Sequence, residues 1–162
     1  MTHLQSRETN IRLSALKLLA RREHSYHDLK RKLLSRSFPE DEIILVLDDL
    51  IIEGSLSDQR FVEHFLRYNV QRGYGPNQIR QKLLQYGVSE ALIKEGLSSY
   101  SAQWMTEIEQ VYRKKFKNFA AILQTFSNGD KHKAIAKVKR FLQYRGFTLE
   151  QIQTFCNESD LS

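Results

Sequence analysis

Cations and one tyrosine carry the most suggestive chemistry in this sequence. Lys30-Arg31-Lys32, Arg80 with Lys82, and Lys137 with Lys139-Arg140 recur along the chain, and Arg72 stands two residues before Tyr74. Such groups suit phosphates and carboxylates: the charge draws an anionic partner in, and an aromatic face adds stacking or a hydrogen bond. Exposed Lys and Arg also serve simply to keep a surface hydrated, so any single one is weak evidence. Their recurrence on corresponding helices singles them out as one intermittent basic track. Tyr74 has two readings, a groove contact beside Arg72 or a pin that holds its own corner.

No other constellation reaches the threshold of a site. Gly73-Tyr74-Gly75 is not a dinucleotide loop, because the third glycine of that fingerprint falls at Gln78 and no strand precedes it; no Walker lysine follows. His24 and His27 have i, i+3 spacing, yet they straddle a helix start and lack further ligands nearby, so no metal is expected. The acids of residues 39–53 read as a solvated helix face. Nothing resembles a nucleophile elbow, a zinc signature or a glycosidase carboxylate pair. The expectation is a protein with no catalytic residues, no cofactor and no metal.

The elements that must position these cations are short helices. From Pro76, a helix has proline in its first turn, where the missing N–H costs nothing, and Gly87 just past its end, where φ > 0 is needed. Ile79, Leu83 and Tyr86 form one apolar stripe at i, i+4 and i+7, and Ser89 caps the next helix. The unit recurs. Leu29, Leu33, Phe38, Ile43 and Leu47 stand where Ile79, Leu83, Val88, Ile93 and Leu97 stand, and Val138, Leu142, Phe147 and Ile152 take those places a third time. Gly146 replaces Gly87 and Thr148 replaces Ser89.

Two prolines, seven glycines and no period-two alternation indicate helix throughout, and 41% hydrophobic residues exclude a disordered chain. No run of 18 apolar residues and no charged-then-apolar N-terminus appears, so a soluble cytoplasmic protein with no membrane partner is expected. The lone Cys156 occupies the position of Leu47 and Leu97 and reads as a small core residue. The net charge of +6 is unevenly spread: residues 25–38 carry +3, 39–53 carry −6 and 119–146 carry +5. Each unit thus has a basic second helix and a more acidic third one. A helix-turn-helix reading, with the third helix in a major groove, would bring six acids of residues 39–53 to the phosphates, so sequence-specific readout is not expected.

Along the chain, residues 1–8 read as a loose lead-in and Ile11–Leu19 as an apolar-rich first helix. Ser25 with Asp28 has the form of a capping box, Ser37 falls where a left-handed glycine would serve, and Pro39 opens an acidic helix that Gly54 stops. Ser57-Asp58 caps a helix with Phe61, Phe65 and Leu66 on its apolar face. Residues 98–101 read as a linker, and a helix from Trp104 to Phe119 turns Ile108, Val111 and Tyr112 inward. An insertion with a turn at 127–130 follows, Thr148 with Gln151 makes the last capping box, and the tail after Glu158 frays. The expected organisation is all-α: three-helix repeats at 9–54, 55–100 and 101–158, the last with an insertion near 118–133, in an elongated, curved array.

Four stretches carry a resemblance. Ala15-Leu-x-x-Leu-Ala-Arg-Arg-Glu-His-Ser25, Asp58-x-Arg60-Phe61, Arg72-Gly-Tyr-Gly-Pro-x-x-Ile-Arg80-x-x-Leu83 and Arg140-Phe-Leu-x-x-Arg-Gly-Phe147 are similar, in order, to the signatures of RecX proteins, bacterial modulators of the RecA recombinase. Ser37 for a usual glycine and the long 118–133 connection depart from that pattern. The resemblance implies three tandem three-helix repeats, no catalysis, and binding to the RecA–DNA filament with inhibition of RecA ATPase and strand exchange, in recombination, DNA repair and the SOS response. The residues expected to meet filament or nucleic acid are Lys30, Arg31, Lys32, Arg72, Tyr74, Arg80, Lys82, Lys137, Lys139 and Arg140, in a monomeric chain. The alternatives are a helical protein that binds single- or double-stranded DNA directly and without sequence preference, and a helical scaffold for an unrelated protein.

Overall fold

The computed structural model describes residues 3–159 and Leu161, with side chains from Ser6 onward. The described chain is all helical: α1 His3–Leu19, α2 Tyr26–Leu34, α3 Glu40–Ile52, α4 Asp58–Gln71, α5 Pro76–Gln85, α6 Glu90–Ser98, α7 Trp104–Lys115, α8 Phe119–Leu123, α9 Asn128–Arg145 and α10 Leu149–Glu158. Two compact units divide it, Met1–Phe65 with Leu83–Lys94, and Leu66–Lys82 with Glu95–Ser162. Residues 3–8, expected to be loose, continue α1. No breaker interrupts them, and Arg7 reaches Glu42 on α3 at 3.9 Å while Arg12 pairs with Glu53. Of the tail expected to fray, Asp160 and Ser162 lie outside the described residues. Leu161 is buried, its N–H donating to the Cys156 carbonyl at 2.9 Å.

In the first unit α1, α2 and α3 pack on one another around Ile11, Ala15, Leu29, Leu33, Ile43, Val46, Leu47, Leu50 and Leu56. Each fully buried Leu, Ile or Val among them contributes roughly 1.5–3 kcal/mol over its exposed state. The helix starts are chemically specified: Ser25 Oγ accepts from Asp28 N–H at 3.1 Å, and Pro39, Glu40, Asp41 and Glu42 open α3 with acids at the positive end of its dipole. Ser37 adopts φ +63°, so the glycine position is left-handed here too, at a cost of about 1 kcal/mol. Tyr86 closes this unit's aromatic corner, edge-on to Phe61 at 5.3 Å and Phe65 at 5.5 Å.

In the second unit α7, α9 and α10 form the corresponding bundle, with Trp104, Ile108, Val138, Leu142, Phe147, Ile152, Phe155 and Cys156 buried. Thr148 and Gln151 complete a reciprocal capping box. The helix expected to reach Phe119 stops at Lys115, because Asn118 turns left-handed at φ +60° and starts α8. Phe119 then folds back on Phe116 at 5.4 Å. The remainder of the insertion lengthens α9, which begins at the Ser127 N-cap.

Successive repeats are joined by one recurring contact, found once inside each unit. In the first, Ser25 Oγ donates to the Tyr86 carbonyl at 2.6 Å, and a Cβ on Gly87 would lie 2.5 Å from the His27 side chain. In the second, Gly75 N–H donates to the Arg145 carbonyl at 2.8 Å and Asn77 N–H to that of Gly146 at 2.9 Å. The start of one repeat's second helix thus docks on the left-handed corner that ends the next repeat's second helix.

Asp28 departs from the expected capping box. Its carboxylate does not reach back to the cap; it is buried and accepts from Arg31 at 2.7 Å, Arg22 at 3.2 Å and His24 Nδ1 at 2.7 Å. His24 turns inward to this acid, whereas His27 is exposed. Burial pushes the His24 pKa down, outweighing its hydrogen bond to Asp28. Burial also opposes the Asp28 charge, but the His24 hydrogen bond and the nearby cations hold the carboxyl below its ordinary value. Asp28→Ala should therefore cost about 2 kcal/mol by leaving the buried His24 donor unpaired, the exposed Arg22 and Arg31 being free to rehydrate. Both shifts have one sign: the folded state takes up protons less readily than the unfolded chain. Stability should thus begin to fall as pH drops below about 6.5, where unfolded His24 protonates, and fall further through the Asp28 range. Urea titrations across pH check this. An unchanged midpoint between about pH 4 and pH 7 would contradict the buried pair.

Candidate polyanion-binding site

Within the second unit, three cations gather on Tyr74. Lys82 Nζ lies 3.8 Å from the ring centroid, and the guanidinium carbons of Arg145 and Arg72 lie 5.3 and 5.9 Å from it. Arg72 also stacks on Tyr68 at 5.3 Å and donates to its hydroxyl at 2.9 Å, while Arg145 covers Phe141 at 5.5 Å. Each cation–π contact contributes about 0.5–1 kcal/mol where exposed.

The local fold creates this convergence. Gly73, at φ +77°, ends the turn after α4, and a Cβ there would meet Val111 Cγ2 at 2.8 Å. Tyr74 N–H donates to the Asn69 carbonyl at 3.1 Å, which fixes the tyrosine, and Lys82 rises from α5 two turns on to reach Asn69 Oδ1 at 3.4 Å. The corner contact between Gly75 and Gly146 then delivers Arg145, whose Nη1 donates to the Arg72 carbonyl at 3.3 Å. Among the described residues Arg72, Lys82 and Arg145 make no ion pair with a carboxylate. Three like charges on one ring repel, and an incoming phosphate or carboxylate relieves that repulsion.

The other basic residues differ in setting. In the first unit Lys30 Nζ is held by Glu40 at 2.7 Å and Arg31 by Asp28 at 2.7 Å, so part of their charge is spent internally. Lys32 is half-buried, and its charge contributes to holding Asp28 ionised. In the second unit Arg80, Lys137 and Arg140 are exposed, whereas Lys139 is half-buried, its charge felt by the Cys156 thiol. Burial raises that thiol's pKa, as befits a core cysteine. Phe141 and Arg145 belong to the Arg140–Phe147 signature but, like Tyr68, were not among the residues expected to meet a partner. That signature and the i, i+4 spacing of Phe141 and Arg145 were the signals present; nothing local joins them to Tyr74.

Among the described residues no helix is long and apolar enough to cross a membrane. Family models match the chain in three consecutive pieces: RecX, first three-helix domain, over residues 12–50; the second over 57–97; and the third over 105–156. Regulatory protein RecX of Pseudomonas entomophila (strain L48) is 37% identical over 151 residues, spanning 93% of this chain and 92% of that protein. Its namesake in Pseudomonas tolaasii is 38% identical over the same span. The crystal structure of RecX from Lactobacillus salivarius shares the fold with a TM-score of 0.82, covering 98% of this chain and 99% of that one at 22% identity. All three helical domains match in order and relatives align over nearly the full length, so this chain belongs to the RecX family of regulatory proteins.

Proposed function

We propose that this chain binds the RecA–DNA filament and inhibits RecA ATPase and strand exchange, modulating recombination and DNA repair. Family membership supports a regulatory role, and the observation that carries the partner is the Tyr74 cluster: three cations on one ring with no carboxylate partner among the described residues. Arg72, Tyr74, Lys82 and Arg145 form its centre. Arg80, Lys137, Lys139 and Arg140 are further cations of the same unit, and Lys30, Arg31 and Lys32 contribute less because their charge is partly used within the fold. The cations steer the protein to an anionic filament and then clamp phosphate or acidic side chains, opposing the movements that ATP turnover needs. The chain acts as a cytoplasmic monomer and performs no catalysis.

The test is DNA-dependent ATP hydrolysis by RecA, titrated with this protein at concentrations too low to coat free DNA. Hydrolysis should fall towards zero. Undiminished hydrolysis at saturation would reject the proposal. Direct DNA binding, the second reading favoured by the same cluster, instead gives binding without RecA, with log K falling against log salt by about 0.7 per phosphate neutralised on single strands.

A further inference from the structure

Behind the Tyr74 cluster the second unit holds a cleft of about 290 Å³, walled by residues 70–73, one face of α7 and the end of α9. Its size suits one nucleotide rather than a longer ligand. Glu107, Gln110, Val111 and Lys114 follow at helical spacing along the α7 wall, which places Glu107 and Lys114 roughly 10 Å apart along the axis. That is about the length of a nucleoside monophosphate from phosphorus to the far edge of its base. Phe141 closes the Lys115 end of the cleft, packed against Phe116 at 5.3 Å and under the Arg145 guanidinium.

Glu107 is the unexplained group in this cationic cleft. It is half-buried, burial alone pushes its carboxyl pKa up, and no cation pairs with it among the described residues. A carboxylate so placed favours a ligand with two adjacent N–H donors, and guanine presents them at N1 and N2.

We propose that this cleft binds one guanine nucleotide, its phosphate held by Lys114 and Lys115 with Arg72 and Arg145, and its N1–H and N2–H donating to Glu107. The same chemistry is offered by a free guanosine nucleotide and by a guanine within a DNA strand. This assignment goes beyond the filament reading and stands or falls separately from it.

Calorimetric titration of the full chain with dGMP, without RecA or DNA, should give saturable binding. Affinity should exceed that for dTMP, deoxyguanosine or inorganic phosphate by about tenfold or more, the discrimination of one bidentate base contact. Glu107→Gln, nearly isosteric, should collapse the preference for dGMP over dTMP, and Lys114→Gln at an exposed site should weaken both nucleotides alike. Absence of saturable dGMP binding, equal affinity for inorganic phosphate, or an unchanged base preference in Glu107→Gln would each overturn the proposal. Competition by a thymine oligonucleotide carrying one guanine then assigns the source. Displacement of dGMP at lower concentration than free dGMP requires points to the strand, and weaker displacement to the free nucleotide. The titration contains no filament, so its failure leaves the ATPase test of the filament reading intact.

Discussion

Reversing Arg72 and Lys82 together to glutamate is expected to weaken filament binding by about 100-fold, with RecA ATPase inhibition lost in parallel. The change removes two of the three cations on Tyr74 and sets two carboxylates against an anionic partner. Net charge alone must be controlled for, and Arg7 and Arg12 are poor choices because they already bind Glu42 and Glu53. Lys17 and Arg36 are exposed and make no ion pair among the described residues, so Lys17→Glu with Arg36→Glu alters charge equally while sparing the cluster. That control should lose only a few-fold through weaker long-range steering, and less still at physiological salt, where the Debye length is about 8 Å. Glutamate is a good helix former, so α5 should persist in the Lys82→Glu change, and circular dichroism verifies folding before binding is compared. Equal losses in two folded variants would dismiss the Tyr74 cluster as a specific contact.

Gly75→Ala should be strongly destabilising, costing about 3 kcal/mol. A Cβ there would lie 2.5 Å from the Gly146 carbonyl carbon and the Phe147 nitrogen, and these are backbone atoms that no rotamer change can move aside. The corner contact that delivers Arg145 to Tyr74 must open to admit the methyl. The loss should therefore appear both in urea denaturation followed at Trp104 and in filament binding. Gly129→Ala is the internal comparison: its Cβ meets nothing within 4 Å, and α9 begins at its neighbour, so stability should hold or rise by a few tenths of a kcal/mol. If Gly75→Ala melts like the wild type, the two corners do not pack as described.

By itself the sequence determined the helices and their core, because both follow from short-range rules. The Leu29, Ile79 and Val138 positions, and those equivalent to Leu33, Ile43 and their repeats, are buried wherever the i, i+4 pattern placed them. Caps at Ser25 and Thr148 and left-handed corners at Gly87 and Gly146 follow from backbone sterics and hydrogen bonding within a few residues. Tertiary structure alone decided which cations act together. Arg145 meets Arg72 across 73 residues of chain because two glycine corners touch, and Lys30 and Arg31 are partly neutralised because Glu40 and Asp28 stand beside them in space. It also turned Asp28 from a surface cap into a buried hub for His24, Arg22 and Arg31. Periodicity sets which face of a helix is dry. The direction of a charged side chain depends on the nearest opposite charge or aromatic face, and that neighbour belongs to another helix.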